Sequence, residues 1–298
     1  MKLALAALLG AFVVFAGLAS ASTQGAPRHP VTSAEPPYSA IGLLQFEDGI
    51  CTGALIGPDV VLTAAHCLVR EDGLSLDGRF VAGIGGAGEP ERAGFEAVSV
   101  LPGLDRGGVS GAALLRNGDW ALVRLDQPLG DRFGVLDVEA AVDNRPRRPD
   151  LIGALAMVVV AALAAAATHG RTRTVLAGLS VLGLVLLAAL AVRALLAPDW
   201  RDVPVRQAGY GPSGGAQLIG GPPCRILRFR PSGLIEHSCR IAPGDSGSPL
   251  LVRRADGWAV VAVVSYVHFS PEGTRYWATA AAAVPDPEAA FAGARIGE

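Results

Sequence analysis

The segment Ala242–Leu251, APGDSGSPLL, sets one serine between two glycines, directly after an aspartate, with a proline and an apolar run behind it. Glycine, serine, aspartate and proline are also what tight turns select for backbone reasons. The segment alone therefore reads either as a turn or as a nucleophile. A serine hydroxyl attacks only when a base takes its proton, and that base needs a third group to fix its tautomer. The chain has five histidines. His66 lies in VVLTAAHC, where an apolar strand runs into small residues and a cysteine. His29, His169, His237 and His268 have no comparable setting and read as surface or packing residues. Asp119 opens GDWALVRL, at the mouth of an apolar strand, where it reads either as a turn residue or as an acid held against a buried imidazole.

Taken together, CTGALIGPDVVLTAAHC, GDWALVRL and PGDSGSPLL, in that order, resemble the trypsin-like (chymotrypsin-fold) serine proteases, whose triad runs His, Asp, Ser along the chain. The entry YSAIGLLQFEDGICTGALIGP and the ending HSCRIAPGDSGSP are closer to the bacterial glutamyl-endopeptidase-like (V8-like) branch. The resemblance covers about Tyr38–Gln127 and Val205 to the C-terminus. It implies an all-β fold of two six-stranded antiparallel barrels, with the first at 38–128 and the second at 205–298.

It also implies roles. His66 would take the Ser246 proton, Asp119 would orient the imidazole, and the N–H groups of Gly244 and Ser246 would form the oxyanion hole. Asp245 would hold the oxyanion loop through a buried ion pair, and Ser265 would stand beside Asp119. Cys51 would pair with Cys67 and Cys224 with Cys239. From the residues alone, four cysteines leave three pairings open. Structural zinc is poorly supported, because no two cysteines have C-x-x-C spacing. No metal or organic cofactor is implied, since triad chemistry is complete without one.

The substrate is then a polypeptide, and its side chain before the scissile bond would enter a pocket walled by Arg240, Ile241, Tyr266 and His268. A buried Arg240 guanidinium there could pair with an acidic side chain, which suggests cleavage after Glu or Asp. An outward-pointing Arg240 is the alternative. An α/β-hydrolase is excluded. Its G-x-S-x-G elbow would need glycine where Ser248 stands, and its histidine follows the serine. A binding module on the same double barrel is the remaining functional class. Such homologues usually lose a triad member, and this chain keeps all three.

Residues 1–21, MKLALAALLGAFVVFAGLASA, read as a signal peptide cut after Ala21, which exports the chain and permits disulfides. A formal net charge of −2 gives no case for nucleic acid. Residues 22–37, STQGAPRHPVTSAEPP, are polar and proline-rich and read as a flexible leader or propeptide. No basic residue precedes an Ile-Val-Gly-Gly start, so the partner of Asp245 is left unassigned.

Residues 129–204 form an interdomain insert of different composition. Within it, 151–168 and 175–197 read as two helices joined by HGRTRT, the first with no charge in eighteen residues. Neither has the polar face of a surface helix. The expectation is a transmembrane hairpin that anchors both barrels to the lipid bilayer on the exported side. A soluble hairpin packed on the barrels is the alternative, with a secreted protein as its consequence.

Overall fold

The computed structural model describes residues 27–70, 73–100, 118–141, 148–167, 170, 175, 181–189, 199–211, 217–271 and 273–292. The signal-peptide reading of residues 1–21 lies outside these.

Six strands close the first barrel: β1 (Ile41–Gln45), β2 (Ile50–Leu55), β3 (Val60–Thr63), β4 (Arg79–Ala82), β5 (Glu91–Val100) and β6 (Ala121–Leu125). They pair antiparallel in the ring order β1-β2-β3-β6-β5-β4. Six more make the second: β7 (Pro204–Tyr210), β8 (Cys224–Phe229), β9 (Leu234–His237), β10 (Pro249–Arg253), β11 (Trp258–Ser270) and β12 (Gly273–Ala280). Their antiparallel pairings close a ring β7-β8-β9-β12-β11-β10. The two barrels thus repeat one topology, and the chain is all-β in two closed six-stranded barrels, as the motifs imply.

The sequence explains the hairpins locally. EDG, PSG, ADG and PEG join successive apolar strands, each placing a glycine at the turn. Phe46 N–H closes on Gly49 O at 3.0 Å and Arg254 N–H on Gly257 O at 2.8 Å. Closing a barrel removes the sheet edges that would otherwise be left unpaired. Leu44, Leu55, Leu62, Phe80, Leu122 and Val123 belong to the apolar core around the first barrel, and Val205, Ile226, Ile235, Leu250, Val261 and Ala278 to that of the second. The first core runs into the second barrel through Tyr210, Leu218, Leu251 and Val263. The two barrels are therefore packed across a shared apolar seam, and the cleft at its mouth is fixed in shape.

Both disulfides form as the resemblance implies, Cys51 with Cys67 and Cys224 with Cys239. Two structural bonds of this kind belong to an exported or extracellular protein.

Two expectations are corrected. The leader is not a free tether over its described part: His29–Pro30 pairs antiparallel with Ile219–Gly220, and Val31 N–H donates to Leu218 O at 3.0 Å. Its composition cannot build a core of its own, but it satisfies its backbone on the second barrel instead.

The transmembrane hairpin is also not found. Among the described residues no helix is long and apolar enough to cross a membrane. One helix spans Arg148–Ala167, but it opens on Arg148, Pro149 and Asp150. Its apolar remainder rises about 26 Å at about 1.5 Å per residue, short of a hydrocarbon core of about 30 Å. Of the second segment, helix is described at 175 and 181–189. The two helices do meet: Val158 is buried, and a Cβ added at Gly183 would lie 2.6 Å from its Cγ2. Met157, Val160, Leu163, Val181 and Val185 face outward.

Candidate active site

Strand β3 delivers His66. Its four residues, VVLT, are buried, and the chain then turns through a short 3-10 segment, Ala65–Cys67, whose Cys67 is bonded back to Cys51 on β2. The imidazole is pinned between that disulfide and Asp119. His66 N–H donates to Asp119 Oδ1 at 2.9 Å, and Nδ1 lies 2.6 Å from Oδ2. With Nδ1 carrying its proton toward the carboxylate, Nε2 is left with a lone pair.

Asp119 is buried just ahead of β6. Its Oδ2 also accepts the Ser265 hydroxyl, and its own N–H donates to Thr279 Oγ1 at 3.0 Å. Both of these partners lie on the second barrel, so the acid is clamped across the seam. Burial alone would push the Asp119 carboxyl up, but the hydrogen bond and charge of His66 and the Ser265 hydroxyl outweigh it and leave it below the usual range. Burial likewise opposes charge on His66, yet the Asp119 hydrogen bond and charge win and raise it above 6.5. The imidazole is a stronger base than a free histidine.

Ser246 sits in the turn between β9 and β10. Thr52 N–H, on β2, donates to Ser246 O at 2.8 Å. Gly247 has φ 82° and lies so close to the end of β3 that a Cβ there would come within 2.1 Å of Thr63 Oγ1 and 3.0 Å of Ala64 N. The turn is thus pressed against the residues that lead into His66. Gly244, at φ 91°, would place a Cβ 2.3 Å from Tyr210 O. A side chain is excluded at both glycines by conformation and by space. Asp245 N–H, Gly247 N–H and Ser248 N–H close on Ala242 O, Val264 O and Asp245 O. Among the described residues the Gly244 and Ser246 N–H groups have no such backbone acceptor.

A cavity of about 290 Å³ opens beside Ser246, lined by Ile241, Ala242, Pro243, Val264, Tyr266 and Tyr276 among others. Of the expected wall residues, Ile241 and Tyr266 are there, together with Ser265. Arg240 lines a different cavity, with Arg28 and Arg225. His268 is exposed on β11, opposite Arg275 on β12. Ala242, Val264 and Tyr276 were not singled out by sequence, because only the barrel closure brings β12 to the turn.

Cys51, His66 and Cys67 crowd together as three groups of metal-ligand type. Two of the three donors are joined in the disulfide, so neither offers the thiolate a metal needs.

The trypsin family model matches residues 29–156, which takes in the whole first barrel with His66 and Asp119. Over those residues the chain is similar to the trypsin family. Its second barrel, with Ser246, rests on the fold and on the turn just described. Two solved structures share that fold. A Glu endopeptidase solved in complex with MPD is 17% identical with a TM-score of 0.55, over 87% of this chain and 92% of that one. Protease Anisep from Arthrobacter nicotinovorans is 15% identical with a TM-score of 0.53, over 89% of this chain and 97% of that one. No curated protein sequence matches this chain.

Proposed function

We propose that the chain is an exported serine endopeptidase that acts through His66, Asp119 and Ser246. The observation that carries this reading is the Asp119 clamp on His66 Nδ1 at 2.6 Å, with the Ser246 turn pressed against the strand that delivers the imidazole.

Chemistry follows from that arrangement. Ser246 Oγ attacks the peptide carbonyl carbon as its proton passes to His66 Nε2, and Asp119 stabilises the resulting imidazolium. The tetrahedral oxyanion is met by the N–H groups of Gly244 and Ser246, each typically worth about 3 to 4 kcal/mol in the transition state. The C–N bond then breaks as His66 returns the proton to the leaving amine. Water, deprotonated by the same imidazole, attacks the acyl-enzyme and releases the acid and Ser246.

Among the described residues the cavity beside Ser246 is lined by apolar, aromatic and hydroxyl groups and no charged side chain. This favours an uncharged, medium-sized side chain before the scissile bond, and Arg240 supplies no pairing for an acid in that cavity.

The test is labelling with a fluorophosphonate probe. Wild-type chain should be labelled and should cleave a peptide library, and Ser246→Ala should do neither while keeping its far-ultraviolet spectrum. Equal labelling of both would remove Ser246 as nucleophile. Cleavage confined to Glu and Asp sites would overturn the uncharged-side-chain preference.

A further inference from the structure

Asp245 is fully buried, one residue before Ser246 and one after Gly244. Its carboxylate is met by a residue from the far end of the chain. Arg28 Nη1 donates to Oδ2 at 2.5 Å and Nη2 donates to Oδ1 at 2.8 Å. Nη2 also donates to Ile219 O at 2.8 Å. Two parallel N–H donors on two carboxylate oxygens form the fork geometry that only a guanidinium supplies. The same Oδ2 accepts Ala242 N–H at 2.6 Å, while Asp245 N–H returns to Ala242 O at 3.0 Å. The carboxylate thus ties the 242–245 turn from inside, and the guanidinium ties the carboxylate.

Arg28 is itself held. The His29–Pro30 strand lies on Ile219–Gly220, and Ser33 Oγ donates to Ile84 O at 2.6 Å on the first barrel. Gly209, against which Asp245 Oδ1 rests, has no room for a side chain, since a Cβ would lie 2.4 Å away. Arg225 and Arg240 border the same cavity as Arg28. Arg28 makes the bidentate ion pair with Asp245.

We infer that Arg28 is a positioning residue for the oxyanion loop. The N-terminal segment around it is an internal strap that keeps Gly244 and Ser246 N–H in register by supplying the buried counter-charge of Asp245. The strap belongs to the uncut chain, so the loop takes its working shape with no newly freed amine. This rests on the serine-endopeptidase reading for its consequence, but not for its geometry.

A buried carboxylate that loses its partner is left uncompensated. Without Arg28, Asp245 is drawn toward water and the turn that presents the two donors goes with it. Losing a single oxyanion donor slows acyl transfer on the order of a hundredfold or more.

The test uses the full chain as wild type, Arg28→Ala and Arg28→Lys, each checked by far-ultraviolet circular dichroism. Hydrogen exchange of the 242–248 segment is read beside the rate of fluorophosphonate labelling. In Arg28→Ala, exchange across that segment should rise on the order of tenfold or more and labelling should slow at least as much. Millimolar guanidinium ion should restore both in part. Arg28→Lys should fall between, since one ammonium cannot make the fork.

An Arg28→Ala chain that exchanges and labels like wild type overturns the inference and leaves the proposed activity standing. Wild type that never labels, with exchange still raised in Arg28→Ala, sinks the activity and keeps the strap. If Arg28→Ala does not fold, Arg28→Lys decides. Native exchange in its loop overturns the strap, and raised exchange supports it.

Discussion

Thr52 on the first barrel holds the Ser246 turn of the second by both ends: its N–H donates to Ser246 O at 2.8 Å, and its hydroxyl donates to Gly244 O at 2.9 Å. The same hydroxyl accepts Tyr210 N–H at 2.9 Å. The residue is fully buried, so water cannot replace what it supplies. Thr52→Val keeps the shape and orphans both a carbonyl and an N–H. The expected loss is about 1 to 3 kcal/mol in urea unfolding for each buried group left unpaired. Because Gly244 O loses its anchor beside the oxyanion donors, kcat should fall further than KM rises. A variant with native stability and kcat would show that the turn needs no tie to the first barrel.

Gly247→Ala tests the other contact across the cleft. The added methyl meets Thr63 Oγ1 at 2.1 Å and Thr52 O at 2.2 Å, on a backbone at φ 82°. Neither neighbour can move freely, because Thr63 Oγ1 donates to Thr52 O at 2.8 Å. The turn must back away from β3, taking Ser246 from His66. Fluorophosphonate labelling should drop at least tenfold, the scale on which small misplacements of reacting groups act. The folded state should survive, since the barrels' own ladders are untouched. Labelling at the wild-type rate would mean that Ser246 is not positioned by this contact.

The motifs made His66, Asp119 and Ser246 legible as candidates because each motif is local. A serine turn, a histidine at a strand end and a strand-opening aspartate each carry their own signature, and their order implies the double barrel. Arg28 carries none. It lies 217 positions from Asp245, inside a proline-rich run whose composition says only that it has no core of its own. Arg240 and Ile241 show a different limit. Extended backbone sends neighbours to opposite sides. Ile241 faces the cavity beside Ser246 and Arg240 the one beyond Cys239, which spacing from the serine does not resolve. On β11 the cavity wall is made by Tyr266, Val267 and Phe269, while His268 between them is exposed.

Activity and stability should run in opposite directions with pH. His66 must be neutral to accept the Ser246 proton, and Asp119 raises it above 6.5. The acid limb of kcat/KM should therefore have its midpoint above 6.5. A raised histidine stabilises the fold in its charged form. That stability is complete below the unfolded value of 6.5 and is lost as pH rises through the folded value. The melting temperature should thus decline through the same window in which activity appears. Asp119→Asn should abolish both trends. His237 acts with the other sign. Burial drives it down to about 4. Its contribution is present above 6.5 and lost as pH falls toward about 4. In His237→Phe the acid loss of stability over that range should shrink. An acid limb at or below 6.5 would show that Asp119 does not charge-stabilise the imidazole.

The two disulfides close loops of nearly equal length, with sequence separations of 16 for Cys51–Cys67 and 15 for Cys224–Cys239. Loop entropy makes their removal cost about 3 kcal/mol each. Their effects on the reaction should nevertheless separate. Cys67 is the neighbour of His66 in the 3-10 turn, so replacing both Cys51 and Cys67 by alanine loosens the base. Cys239 precedes Arg240 and Ile241, and Ile241 forms the cavity wall, so replacing Cys224 and Cys239 loosens the substrate side. The first pair of substitutions should lower kcat with little change in KM, and the second should raise KM with kcat largely kept. Urea unfolding of the two variants should give similar losses, which separates local geometry from global stability as the cause. If both variants lose kcat alike, the wall and the base are not independent, and the shared seam through Tyr210 and Val263 transmits the change between barrels.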